Sequence, residues 1–234
     1  MPEIFTIGHS NHSEARFLEL LQQHGITALA DVRSHPYSRY LPHFNQAALK
    51  RSLPTAGVAY VFLGQHLGAR PDNPACYVEG QARYELIAAT TEFRLGLERL
   101  YKGIDNYRIA LMCAEQDPIV CHRAILVCHH LEYPDLQISH ILKSGELETH
   151  DQLEQRLLKL HHLDTETICP PQQQLNLFDL IEQQLDNDRQ PENFPPKSFE
   201  ECLKIAYQRQ ADKIAYMEKF PNQDNHEEND EYSD

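Results

Sequence analysis

Four short apolar runs, Ile4–Ile7, Ile26–Val32, Val58–Leu63 and Tyr107–Cys113, each give way to a glycine or a polar stretch, and segments with helical spacing separate them. Runs this short and this uniformly apolar suit strands buried on both faces, as in a parallel sheet. Between them, Ser13 can cap a helix carrying Phe17, Leu18, Leu20 and Leu21 that closes at Gly25. Helical spacing recurs over Asn45–Leu53, Tyr84–Tyr101, Cys121–Leu131 and Leu153–Leu163, and Ile138–Leu142 reads as a fifth strand. Parallel strands need crossover connections, which these helices supply. The expected fold is α/β, an open, mostly parallel three-layer α/β/α sandwich with additional C-terminal helices.

The expected organisation is a core α/β domain over residues 1–145, a helical extension over 146–220 packed on that core, and an acidic disordered tail over 221–234. The extension holds an apolar-periodic segment at Leu175–Leu185, a PENFPPKS linker and a last helix at Phe199–Phe220. The same helices can instead serve a homodimer. The tail segment NQDNHEENDEYSD has six acids and no Lys or Arg, and removing them from the formal net charge of −14 leaves −8 on the body. That balance argues against general attraction to nucleic-acid phosphates and leaves room for a local arginine pocket. No run approaches the length of a membrane span, and MPEIFTIGH lacks the layout of an export signal. The expectation is a cytoplasmic protein whose cysteines are reduced.

In a parallel sheet, the segments following the first four strands leave by one edge and can converge there. GHSN contributes His9, Ser10 and Asn11; DVRSHPYSR contributes Asp31, Arg33, Tyr37 and Arg39, with Phe44 just beyond. Gly64 opens the third exit, and CAEQDPIVCHR brings Cys113, Glu115, Cys121, His122 and Arg123. Arg33, Arg39 and Arg123 are the anion-binding candidates, since a guanidinium can grip phosphate or carboxylate with two parallel hydrogen bonds. Alternatively, Arg33 pairs with Asp31 or Glu115 and ties loops together. Cys121 is the candidate nucleophile beside Arg123, with His122 or His9 to move a proton. Ser10, Asn11, Asp31, Tyr37, Phe44, Gly64, Cys113 and Glu115 are expected to line the pocket.

Taken together, the segments IFTIGHSNHS, ALADVRSHPYSRYLPHFN, YVFLGQHLGA, ALMCAEQDPIVCHR and LQISHIL resemble the bacterial family called domain of unknown function 488. The resemblance runs over Ile4–Leu142. It implies an α/β fold and names no reaction, substrate or cofactor.

Several chemistries are disfavoured. Nine residues separate Cys113 from Arg123, too many for a Cys-x5-Arg phosphatase loop. No glycine-rich dinucleotide fingerprint or Walker loop is present, and no compact four-ligand spacing specifies a metal, so neither cofactor nor metal is expected. Two function classes stay open. One is an enzyme acting on a phosphate-containing nucleotide or nucleic acid through an arginine-rich pocket. The other is a noncatalytic module binding a small phosphate-containing ligand or single-stranded nucleic acid.

Overall fold

The computed structural model describes residues 1–164 and 198–218 of the chain. The strands are β1 (Glu3–Gly8), β2 (Ala28–Asp31), β3 (Ala59–Phe62), β4 (Tyr77–Val78), β5 (Gln81–Ala82), β6 (Ile109–Cys113), β7 (Gln137–Ile141) and β8 (Leu147–Thr149). Six of them form one sheet in the order β3-β2-β6-β1-β7-β8. All its pairings are parallel except β7 with β8, and β4 and β5 make a separate hairpin. Every residue of β2 and β6 is buried, which is why these segments are continuously apolar rather than alternating.

The pleat sends alternate residues to two separate cores. On one face, α1 (Glu14–Gln23) and α2 (Gln46–Thr55) lay Phe17, Leu20, Leu49 and Leu53 over Phe5, Ile7, Leu29 and Met112. The other face carries α3 (Gly64–Leu67), α4 (Tyr84–Ala88), α5 (Thr91–Ile104), α6 (His150–Leu160) and α7 (Phe199–Ile214). There Leu97, Leu100, Ile125, Leu157 and Ala206 pack with Ile4, Ala30 and Leu111. Burying one such side chain stabilises the fold by about 1.5–3 kcal/mol. The result is the α/β/α sandwich with added C-terminal helices.

Several local expectations change. The single helix expected over Tyr84–Tyr101 is broken, because the Thr90 hydroxyl donates to Ile87 O at 2.8 Å and accepts from Phe93 N at 3.1 Å, capping α5 afresh. The loop after β3 begins with α3, and a 3₁₀ turn at Pro74–Cys76 precedes the hairpin. The helix expected over Cys121–Leu131 is a π-helical turn, Arg123–Val127, followed by a 3₁₀ turn at Cys128–His130. Strand β8 and the hairpin were too short to show a period. The last helix ends at Ile214, with Ala215 extended. Leu175–Leu185, most of the linker and the acidic tail lie outside the described residues.

Chain direction positions the site. The connection from β2 runs through α2 on one face, and that from adjacent β6 runs through the π-helical turn on the other. A crevice therefore opens at the carboxyl ends of the central strands, where open α/β sheets hold ligands. No helix among the described residues is long and apolar enough to cross a membrane.

Candidate functional site

At this edge a cavity of about 320 Å³ is lined by Arg33, Ser34, His35 and Tyr37 after β2 and by Cys113, Ala114 and Glu115 after β6. Val120 and His122 reach it from further along the same connection, Ala69, Arg70 and Tyr84 from the α3–α4 side, Ile214 from the end of α7 and Tyr216 from just beyond it.

Two glycines let the loops close on one another. A Cβ on Gly8 would lie 1.9 Å from the Glu115 carbonyl oxygen, and one on Gly64 would lie 2.0 Å from that of Arg33. Gly64 thus shapes the site from behind rather than lining it. The backbone pairing of β1 and β6 continues past the strands, with His9 N donating to Cys113 O and Ser10 N to Ala114 O, both at 2.9 Å.

The reactive groups meet in one cluster. Cys113 Sγ lies 2.9 Å and Cys121 Sγ 3.0 Å from Glu115 Oε2, while Cys113 Sγ is 3.5 Å from His122 Nδ1. Cys121 precedes the π-helical turn in extended conformation, with φ −130° and ψ 137°. Consecutive helical residues would point apart; this bend instead brings Cys121 and His122 into the same cluster. Burial raises the Cys113 thiol well above the ordinary range, helped by Cys121 and Glu115. For Cys121 burial pushes upward as well, but the Cys113 hydrogen bond, Arg123 and His122 outweigh it and hold the thiol well below its usual value. Burial lowers the His122 imidazole, yet its interactions with Cys121 and Glu115 leave it raised. Sulfur, imidazole and carboxylate ligand atoms all within 4.8 Å of one another could hold a metal ion, which the irregular sequence spacing did not suggest.

The arginines are not gathered into one clamp. Arg33 lines the cavity, but its Nε and Nη2 donate to both oxygens of fully buried Asp31 at 2.9 and 2.6 Å. Its remaining contacts are Phe44 O at 2.8 Å and His9 Nε2 at 3.1 Å, and Tyr60 adds a hydroxyl donor to Asp31 at 2.7 Å. Arg123 is fully buried behind the cluster, donating to Glu115 O at 2.7 Å, Gln116 O at 3.1 Å and Thr6 Oγ1 at 3.3 Å. Arg39 sits on the exposed loop, bonded to Tyr40 OH.

His9 faces Arg33 instead of the cavity. It donates from Nδ1 to Ser10 O at 3.0 Å and stacks on Phe44 at 4.4 Å, and burial followed by Arg33 lowers its pKa to about 4. Both ring nitrogens are therefore engaged, and the neutral ring orients Arg33. Ser10 and Asn11 do not line the cavity; the Ser10 hydroxyl is 3.4 Å from both Asn11 Oδ1 and Gln116 Oε1. Tyr37 is a mostly exposed lip of the cavity, at 72%.

Sequence reasoning missed Arg70, Tyr84, Ile214 and Tyr216. The Arg70 guanidinium lies 4.2 Å above the Tyr216 ring and makes no ion pair among the described residues. It is the cation left available to a ligand. The C-terminal helices also brace the loop that carries the cluster. Arg156 of α6 holds both oxygens of Asp117 at 2.7 and 2.8 Å, and buried Gln210 of α7 donates to Ile119 O at 2.7 Å. No motif signals such contacts, because their partners are 39 and 91 residues apart in sequence.

No curated protein and no solved structure matches the chain. The family described as Domain of unknown function DUF488 matches residues 13–129, which include Cys113, Glu115, Cys121 and His122. This match spans half of the sequence, so the chain belongs to the DUF488 family.

Proposed function

We propose that the protein is an enzyme acting on a small phosphate-bearing ligand of nucleotide size, with the Cys113, Glu115, Cys121 and His122 cluster as its reactive centre. The observation that carries this reading is one cavity lined by an uncommitted cation, Arg70, and by three members of that cluster, Cys113, Glu115 and His122, with Cys121 buried behind them. Its volume of about 320 Å³ suits a single small molecule, and Tyr37, Tyr84 and Tyr216 offer aromatic walls for a base. A bound strand would call for a row of cations, and here Arg33 is already neutralised by Asp31. A cytoplasmic location belongs to the same reading, supported by buried Cys76, Cys113, Cys121 and Cys128, which form no disulfide among the described residues.

Calorimetric titration with nucleoside mono- and diphosphates, inorganic phosphate and a short single-stranded RNA, with product analysis for each binder, tests it. A nucleotide should bind and be converted. Arg70→Ala should weaken binding roughly tenfold or more, equivalent to about 1.4 kcal/mol. Cys121→Ser should lower turnover far more than affinity. Unchanged affinity in Arg70→Ala would remove the phosphate reading, and binding without conversion would leave a noncatalytic module.

A further inference from the structure

We infer that Cys113, Cys121 and His122 hold a divalent metal ion of the zinc type, with Glu115 as a fourth ligand that water or a substrate oxygen can displace. The inference is independent of which ligand occupies the cavity. A tetrahedral ion with sulfur, nitrogen and oxygen ligands at about 2.0–2.3 Å sets ligand-to-ligand edges of about 3.3–3.8 Å. The contacts of 2.9, 3.0 and 3.5 Å within the cluster, and its outer limit of 4.8 Å, lie within about an ångström of those edges. Small side-chain movements suffice.

Three independent features favour a cation at the centre. The first is the histidine. His122 Nε2 lies 3.0 Å from Val32 O and donates to it, which turns Nδ1 toward the sulfurs, 3.5 Å from Cys113 Sγ. Metal-bound histidines are fixed this way, one nitrogen on the ion and the other donating to a carbonyl or carboxylate.

The second is the approach of one carboxylate oxygen, Glu115 Oε2, to two sulfurs at once. Thiols are weak donors, whereas a shared cation draws all three atoms inward. Arg123 N, 3.4 Å from Cys121 Sγ, adds the backbone donor that a ligating sulfur accepts.

The third is charge. Arg123 is fully buried, and no carboxylate pairs with it among the described residues; its acceptors are two carbonyls and a hydroxyl. Two thiolates, one carboxylate and a divalent ion leave a single negative charge, and Arg123 cancels it.

Two thiolates and an imidazole select zinc among common divalent ions. Glu115 is exposed, while both sulfurs are buried and His122 is only 9% exposed, so the replaceable position faces the cavity. Three protein ligands with one open position is the layout of a catalytic zinc site.

The test uses the full chain without a polyhistidine tag, purified without added metal and analysed for metal content. Chelator-treated protein is then titrated with zinc against a chromophoric competitor and, separately, with cobalt(II). The expected results are about one zinc per chain and a cobalt adduct with thiolate-to-metal charge transfer and the strong visible bands of tetrahedral cobalt. Cys113→Ser and Cys121→Ser should each weaken zinc binding by roughly 100-fold or more, and Glu115→Gln by about tenfold. Failure of the wild-type chain to take up zinc, or a cobalt adduct without the thiolate band, overturns the inference and requires no variant to fold. Wild-type zinc affinity in both cysteine variants overturns it equally. Metal uptake without any nucleotide binding would uphold this inference while removing the phosphate reading.

Discussion

Replacing Arg123 by methionine is expected to cost the metal-free protein about 2–4 kcal/mol of folding stability. The guanidinium is fully buried and ties down the loop carrying the cluster through Glu115 O at 2.7 Å and Gln116 O at 3.1 Å. A hydrogen bond from a charged donor is worth about 1.5–3 kcal/mol, so these two contribute about 3–6 kcal/mol. Methionine recovers part of that, because it removes a cation buried without a carboxylate partner. For a chain of this length each kcal/mol moves the melting temperature by about 2–4 °C, giving a fall of about 5–15 °C. Urea unfolding followed by far-ultraviolet circular dichroism, in the presence of a chelator, measures the difference. A loss below about 1 kcal/mol, or a gain, would show that packing alone holds residues 115 and 116 and would refute this reasoning.

Gly8→Ala places a methyl group 1.9 Å from the Glu115 carbonyl oxygen, so Glu115 must move. Loss of both thermal stability and ligand affinity is expected, and a crystal structure with Glu115 unmoved would contradict the close-approach argument. Burial holds His9 and His150 near 4, below the ordinary 6.5, so the folded chain keeps them neutral while the unfolded chain takes up protons. Their contribution is whole above pH 6.5 and is lost as the pH falls toward 4. The unfolding free energy should drop by about 2–4 kcal/mol between pH 7 and pH 5, and a flat profile would contradict the burial of neutral imidazoles. Gln210→Leu strands the Ile119 carbonyl, costing about 1–3 kcal/mol. Amide exchange at Val120 and Cys121 should quicken; unchanged exchange there would mean that α7 does not brace the loop.

The strands were legible because burial on both faces leaves its mark in the residues themselves, as IALMC in β6 illustrates. What could not be read depends on partners distant in sequence. The Thr90 break, the π-helical turn and β8 follow from tertiary packing rather than local periodicity. At the site, the meeting of the segment carrying Cys113, Glu115 and His122 with the one that follows β2 comes from the pairing of β2 with β6. The employment of Arg33 and Arg123 does not, since a fork that could grip phosphate can equally grip Asp31 or two loop carbonyls. Arg70 and Tyr216 stood outside every motif, and only the path of α7 brings the tyrosine to the cavity. The ligand set was hidden by its spacing, because the extended backbone at Cys121 and the contact between Glu115 and both sulfurs are features of the folded loop.

The most direct test of the account is the position of the tightest-binding nucleotide in difference electron density from a co-crystal. Density is expected in the cavity between the ends of β2 and β6, with phosphate against Arg70, the base among Tyr37, Tyr84 and Tyr216, and the reacting end facing Cys113, Glu115 and His122. Nucleotide density elsewhere on the molecule, with only solvent in this cavity, would contradict it.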